Sequence, residues 1–134
     1  MKWVLDTTAF SALMKKNPNA LKLVQNYPPR HIVSVPPVVA EIQFGIKRLD
    51  PSSKKCLLLS SERDRLLSII AVLPWLRESS DYFGKIKADL ERRGELIDDL
   101  DIAIAAIALS HQCGVITANI GHFQRIKALE YNNW

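Results

Sequence analysis

Three carboxylates occur in the sequence where they could share a divalent cation. Asp6 follows a short apolar run, Glu41 lies in an amphipathic stretch, and Asp101 opens a long apolar one. Bringing like charges together in a partly buried place is unfavourable, because each disfavours ionisation of the others. Mg²⁺ or Mn²⁺ offsets that cost, since hard cations bind oxygen ligands and keep positions for water and phosphate. The chemistry expected of such a cluster is phosphodiester hydrolysis.

Alternating strand and helix patterns must position these residues. Strands are predicted at residues 2–5, 31–35, 71–73, 114–117 and 128–131. Helices are predicted at residues 9–14, 19–25, 38–47, 53–70, 82–94, 102–109 and 121–126. Repeated strand-helix units predict an α/β fold of three layers, α/β/α, with a central, mainly parallel sheet of four to five strands.

The predicted topology brings the acids to one end of the sheet. Ligands of open parallel sheets bind beyond the carboxyl ends of the strands. Asp6 leaves the first strand at such an end, and Glu41 borders the apolar stripe of the helix after the second. Asp101 begins the all-apolar helix, and Asn119 comes just after the strand that ends at Thr117. Three carboxylates and one amide are therefore expected near one another.

Each acid also has a structural explanation. An aspartate between a strand and a helix is often only an N-cap, which applies to Asp6. Asp98 and Asp99 both complement a helix dipole, and capping is the favoured role for Asp98. Glu41 lies in mid-helix and has no capping role, so its alternative is exposure at the edge of the stripe. The sequence alone leaves these alternatives open.

Composition indicates one folded domain covering residues 1–134. The chain is 48% apolar and 24% charged, with a formal net charge of +4. The two cysteines are far apart and have no zinc or redox spacing, so both are expected to be buried thiols. The opening residues carry no signal-peptide core, and no apolar run reaches membrane-spanning length. A cytoplasmic protein is expected.

Basic residues occur in adjacent pairs. The pairs are Lys15-Lys16, Lys47-Arg48, Lys54-Lys55 and Arg92-Arg93, mostly in predicted helices. They are compatible with a surface that follows nucleic-acid phosphates. Solvated helix faces explain any single pair equally well.

Four segments, in this order and spacing, resemble the PIN-domain ribonucleases, and specifically the VapC type of toxin from toxin–antitoxin pairs. The likeness spans nearly the whole chain. The matching segments are Val4 to Phe10, Val39 to Gly45, Ile97 to Asp101 with Ile104-Ala105-Ala106, and Ile116 to Asn119 with His122-Phe123. The resemblance implies a single PIN domain.

The resemblance also implies roles for individual residues. It makes Asp6, Glu41 and Asp101 the catalytic ligands of Mg²⁺ or Mn²⁺, and Asp99 an auxiliary ligand. Thr7 and Thr117 are implied to orient water or the ligands. The family's fourth acidic position is Asn119 here, and an amide brings no negative charge. The site is therefore expected to hold one metal firmly and to recruit a second only with RNA phosphate.

Implied partners are RNA, either tRNA or rRNA, and a cognate antitoxin that blocks the acidic site. A homodimer is also expected. Helical surfaces for these contacts are predicted in residues 53–70, with Tyr82 and Phe83, although core packing explains most of those leucines.

The alternative function is a non-catalytic RNA-binding or scaffold module of the same fold. A haloacid-dehalogenase phosphatase is disfavoured because position 8 is Thr where a second Asp is required.

Overall fold

The sheet has five short parallel strands. The computed structural model describes all 134 residues. The strands are β1 (Trp3–Leu5), β2 (Ile32–Ser34), β3 (Ala71–Val72), β4 (Gly114–Ile116) and β5 (Tyr131–Asn132). Their order is β3-β2-β1-β4-β5, and every neighbouring pair is parallel. The predicted α/β architecture is confirmed, and the first strand lies at the centre of the sheet.

Seven helices connect and cover the strands. They are α1 (Thr7–Met14), α2 (Pro18–Val24), α3 (Pro36–Lys47), α4 (Lys54–Leu67), α5 (Arg77–Arg92), α6 (Asp99–Ser110) and α7 (Ile120–Phe123). Proline begins α2 and α3, where its missing N–H costs no hydrogen bond. Asp6, Asn17, Ser53 and Asp98 cap the starts of α1, α2, α4 and α6 with side-chain oxygens.

Burial shows that helices cover both faces of the sheet. Side chains of successive strand residues point to opposite faces, yet Val4 and Leu5 are both fully buried, as are Val33 and Ser34. The apolar helix α6 is buried on every side from Ile102 to Ala108, as its composition predicts. This gives the three-layer α/β/α arrangement. No helix combines the length and the apolarity needed to cross a bilayer.

Two predictions at the end of the chain were wrong. The last strand was expected at residues 128–131 but forms at Tyr131–Asn132, because Ala128 has a φ of 64°, which no strand residue adopts. The helix expected at residues 121–126 shrinks to a single turn, α7. Cys113 is buried as expected, whereas Cys56 is only half-buried.

Candidate active site

Asp6 is buried at the point where β1 meets α1. Its side chain is 2% exposed and accepts three hydrogen bonds. Oδ1 accepts from the backbone N–H of Ala9 at 2.9 Å and from Thr8 Oγ1 at 2.6 Å. Oδ2 accepts from Thr117 Oγ1 at 2.6 Å. Asp6 therefore caps α1, a role that the sequence left open. Its second oxygen, Oδ2, faces Thr117 at the end of β4.

The parallel sheet explains why Asp6 meets Thr117. β1 and β4 are neighbours, with Leu5 opposite Ile116, so the next residue of each strand lies beside the other. The backbone N–H of Asp6 also donates to the carbonyl of Ile116 at 3.1 Å. Residues 111 positions apart in sequence therefore come together at the carboxyl edge, as the sequence predicted.

Burial raises the pKa of the Asp6 carboxyl above its usual value. Loss of hydration is the main cause, and the negative charge of Asp101 acts in the same direction. Hydrogen bonds from Thr117, Thr8 and Ala9 lower the pKa and offset part of this effect. A buried carboxylate with another carboxylate nearby is an environment that a bound cation stabilises.

Glu41 reaches the site through Thr7. Thr7 is the first residue of α1 and Glu41 lies in the middle of α3, and these two helices pack together. Thr7 Oγ1 donates to Glu41 Oε1 at 2.5 Å. Glu41 is only partly exposed, so it is turned toward the protein and not out into solvent. Thr7, predicted to orient ligands, fixes one oxygen of this carboxylate.

Asp101 belongs to a second polar group, at the start of α6 and α7. His122 Nδ1 lies 2.7 Å from Asp101 Oδ2 and 2.9 Å from the side-chain nitrogen of Asn119. One ring nitrogen cannot both donate and accept, and the shorter contact is to a carboxylate, so Nδ1–H donates to Asp101. The Asn119 amide lies against the same Nδ1, and turning this amide over would place its oxygen there, where it could only share the hydrogen given to Asp101.

The two other acids of α6 lie outside these contacts. Asp98 caps the helix by accepting from the backbone N–H of Leu100 at 3.3 Å, as favoured from the sequence. Asp99 forms an ion pair with Lys87 at 3.0 Å, and its side chain is 61% exposed. The structure therefore brings Asp6, Asp101 and Glu41 to the same edge through their partners, while Asp99 is held by α5.

Sequence reasoning did not assign Thr8 or His122 to the site. Thr8 Oγ1 accepts from the backbone N–H of Ala118 at 2.9 Å while donating to Asp6. Thr117 Oγ1 likewise accepts from the N–H of Asn119 at 2.7 Å. Two hydroxyls thus tie the loop after β4 to the buried carboxylate. The available signals were the second threonine after Asp6 and the spacing of three between Asn119 and His122 on one helical turn.

The carboxylates do not lie close enough together to form a complete set of metal ligands. No three His, Cys, Asp or Glu side chains are grouped as ready metal ligands. Glu41 contacts Thr7, and Asp101 contacts His122, so each keeps an oxygen without a hydrogen bond from a protein side chain. The atoms at this edge that could bind a metal are all oxygens, apart from the imidazole nitrogens. Such a set suits Mg²⁺ or Mn²⁺ and is poorly suited to zinc or copper.

Comparisons with known sequences identify the family to which the chain is similar. The PIN-domain family model matches residues 3–129. Ribonuclease VapC2 from Rickettsia felis is 30% identical, with the alignment covering 100% of this chain and 98% of that protein. The tRNA(fMet)-specific endonuclease VapC of Salmonella typhimurium is 24% identical, again over 100% of this chain and 98% of that protein.

Solved structures with the same fold include two toxin–antitoxin assemblies. VapBC2 from Rickettsia felis, bound to a DNA fragment from its promoter, superposes with a TM-score of 0.87 at 27% identity, covering 100% of this chain and 99% of that one. VapBC-1 from nontypeable Haemophilus influenzae gives a TM-score of 0.82 at 28% identity, covering 100% and 98%. Since the family model spans nearly all of the chain and a VapC ribonuclease matches end to end, this protein belongs to the PIN-domain family of VapC-type ribonucleases.

Proposed function

We propose that this chain is an Mg²⁺- or Mn²⁺-dependent endoribonuclease that cuts RNA beside Asp6, at the carboxyl edge of the sheet. The observation that carries the proposal is the buried Asp6 carboxylate, held by three hydrogen bonds and lying in the field of Asp101. Capping α1 needs only one of those bonds. A carboxylate buried this fully, with its pKa raised and a like charge nearby, is typical of a functional site.

The residues fit a hard divalent cation. Asp6, Glu41 and Asp101 would hold it, and both cysteines lie outside this group. When bound, the ion activates water and stabilises charge on the phosphate. Thr117 and Thr8 hold Asp6 in place, Thr7 fixes Glu41, and His122 fixes Asp101. Asp99 stays an auxiliary candidate, separated at present by its ion pair with Lys87.

Asn119 argues for a single tightly held ion. Its position carries no charge, so the carboxylates that could neutralise a second divalent ion are fewer. Its amide is also occupied by His122. We propose that a second ion binds only when the phosphate of the RNA supplies the missing negative charge.

The substrate is proposed to be tRNA or rRNA, and the partner an antitoxin protein. One relative is named as a tRNA(fMet)-specific endonuclease, and the solved neighbours are VapBC complexes. A toxin controlled in this way acts on cytoplasmic RNA. The antitoxin is proposed to restrain the chain by covering the acidic edge and so excluding RNA.

A homodimer is proposed through the exposed apolar side chains of α3 and α4. Leu57 and Leu58 are 62% and 63% exposed, and Phe44 is 67% exposed. Leu66, by contrast, is buried in the core, so the leucine-rich helix divides between core and surface. Apolar exposure of this extent on neighbouring helices is typical of an interface. Light scattering after size-exclusion chromatography distinguishes a dimer from a monomer.

Removal of the metal should stop RNA cleavage. Purified protein, freed of antitoxin, is incubated with total tRNA and rRNA in Mg²⁺, in Mn²⁺, and in an excess of chelator. We expect internal cuts with either ion and intact RNA with chelator, because the ion supplies both the activated water and the charge stabilisation that phosphodiester hydrolysis requires. If a folded, metal-loaded sample cuts no RNA, the non-catalytic scaffold becomes the better account.

Replacing His122 should weaken metal binding through Asp101. His122→Ala removes the Nδ1–H donor at 2.7 Å, and removing such a partner of a metal ligand typically costs about 10- to 100-fold in metal affinity or activity. His122→Asn keeps a donor close to the position of Nδ1 and should restore most of the loss. Mn²⁺ affinity and kcat are measured for both variants. Equal losses in the two variants would contradict a positioning role for the imidazole N–H.

A further inference from the structure

A groove opens beside Glu41, bounded by α1, α3 and the start of α4. It has a volume of about 240 Å³, and both Thr7 and Glu41 of the candidate active site line it. Lys15, Arg48 and Lys55 also line it. We call this feature, defined by those three cations together with Glu41, the basic groove. It is therefore continuous with the site.

The charges of the basic groove are not neutralised by the protein. Lys15, Arg48 and Lys55 are exposed, and none of them takes part in an ion pair. Glu41 is the only acidic residue in the lining, so three cations face one carboxylate. If Glu41 also binds a divalent ion, the groove becomes still more positive. Such a concave cationic surface attracts a polyanion.

Local stability does not account for Lys55, whereas Lys15 and Arg48 are the C-caps of α1 and α3, where the helix dipole favours a cation. Lys54 and Lys55 are in the first turn of α4. That turn has no acidic residue, and a helix dipole disfavours positive charge there. Arg48 has its guanidinium 5.9 Å from the centre of the Phe44 ring, an arrangement that holds the side chain while leaving its N–H donors free. Lys55 and Arg48 are thus available to bind something outside the chain.

We propose that the basic groove binds the phosphodiester backbone of single-stranded RNA next to the phosphate that is cut. The inference rests on the proposed function, since it supplies the substrate for that site. Contacts to phosphates fix the register of a nucleic acid on a protein, and grooves that follow single strands are lined by cations in this way. The groove positions the strand, and Asp6, Glu41 and Asp101 carry the chemistry.

The chain offers its own matched control. Each of two basic pairs places one member in the groove lining and leaves the other out, since Arg48 and Lys55 line it while Lys47 and Lys54 do not. Both outer lysines are exposed and form no ion pair. R48Q/K55Q and K47Q/K54Q therefore remove equal charge at adjacent positions, inside and outside the groove.

Binding is measured with a fluorescein-labelled single-stranded RNA, in an Asp101→Asn background that prevents cutting, over a series of salt concentrations. For R48Q/K55Q we expect weaker binding. The slope of log Kd against log salt concentration should also become shallower, by about 0.7 for each phosphate that the variant no longer binds. K47Q/K54Q should keep the Kd and the slope of the parent. In the active background, R48Q/K55Q should raise KM and leave kcat unchanged, because it removes uniform binding. Thermal melts confirm that both variants are folded, and Lys15→Gln provides an independent test.

Two results would contradict the proposal that the basic groove binds RNA. One is an equal loss of affinity in the two double variants, which would reduce the effect to general surface charge. The other is unchanged RNA binding in R48Q/K55Q and in Lys15→Gln. Either result can occur while the wild-type chain cuts RNA, and then only the groove is refuted. If the wild-type chain binds RNA through the basic groove but cuts no RNA, the proposed nuclease activity is refuted and RNA binding by the groove is supported.

Discussion

Asp6→Asn should abolish RNA cleavage and leave the fold intact. Asparagine caps a helix as well as aspartate does, and its amide oxygen can still accept from Ala9 and Thr8. The substitution removes a charge whose burial is unfavourable, but it replaces the Oδ2 that accepts from Thr117 by an amide nitrogen, and a buried group left unmatched costs about 1–3 kcal/mol. The two effects oppose each other, so in chelator the free energy of unfolding should change by no more than about 2 kcal/mol. Activity should fall by at least about a hundredfold, the upper end for losing a mere partner of a metal ligand.

Asp98→Asn is the matched control for this prediction. Asp98 also caps a helix with its carboxylate and lies three residues before Asp101, yet it contacts only the backbone of α6. The exchange is chemically identical and should leave kcat close to the wild-type value. Rates are measured with Mn²⁺ on one RNA substrate, with urea denaturation of each variant. Equal activity of the two variants, or equal loss in both, would contradict the role given to Asp6.

Phe123→Ala should give the largest loss of stability among the changes considered. Phe123 is fully buried at the end of α7, and truncation of a buried phenylalanine costs about 3–5 kcal/mol. α7 is a single turn with one buried residue, so this ring is its main anchor. Because the same turn carries His122 and begins after Asn119, cleavage should fall as well, even where the variant remains folded.

Leu96→Ala provides the comparison on the surface. Leu96 is 47% exposed in the loop before α6, and a surface substitution of this kind changes stability by about 0.5 kcal/mol or less. Urea denaturation, followed by circular dichroism at low protein concentration, measures both variants. Similar unfolding free energies for the two would mean that Phe123 does not anchor α7.

Local sequence patterns predicted most elements of the fold but not the sheet's order. The short apolar runs and the prolines at positions 28, 29, 36 and 37 predicted β2 and α3 within one or two residues. The central place of β1 depends on pairing with β2 and β4, which are far away in the chain. Chain-end elements were predicted least well, because the left-handed backbone of Ala128 has no signal in the residue type.

Sequence patterns predicted that the candidate acids lie at one edge of the sheet, but they did not predict which side chains contact them. Asp6 and Thr117 were expected at one edge because both end strands, and they are hydrogen-bonded. The pairing of Asp101 with His122 joins two helices through side-chain geometry, which no spacing within either helix encodes. The basic pairs looked equivalent in sequence, and only the packing of α1, α3 and α4 distinguishes the members that line the groove.

We propose that Asp6 and Asp101 together hold a divalent cation. The most direct test of this proposal is titration of the chain with Mn²⁺ while electron paramagnetic resonance monitors the free ion. We expect one ion to bind per wild-type or Asp98→Asn chain without RNA, and we expect binding to be lost in Asp6→Asn and in Asp101→Asn. Wild-type affinity for Mn²⁺ in both of those last variants would contradict the proposal.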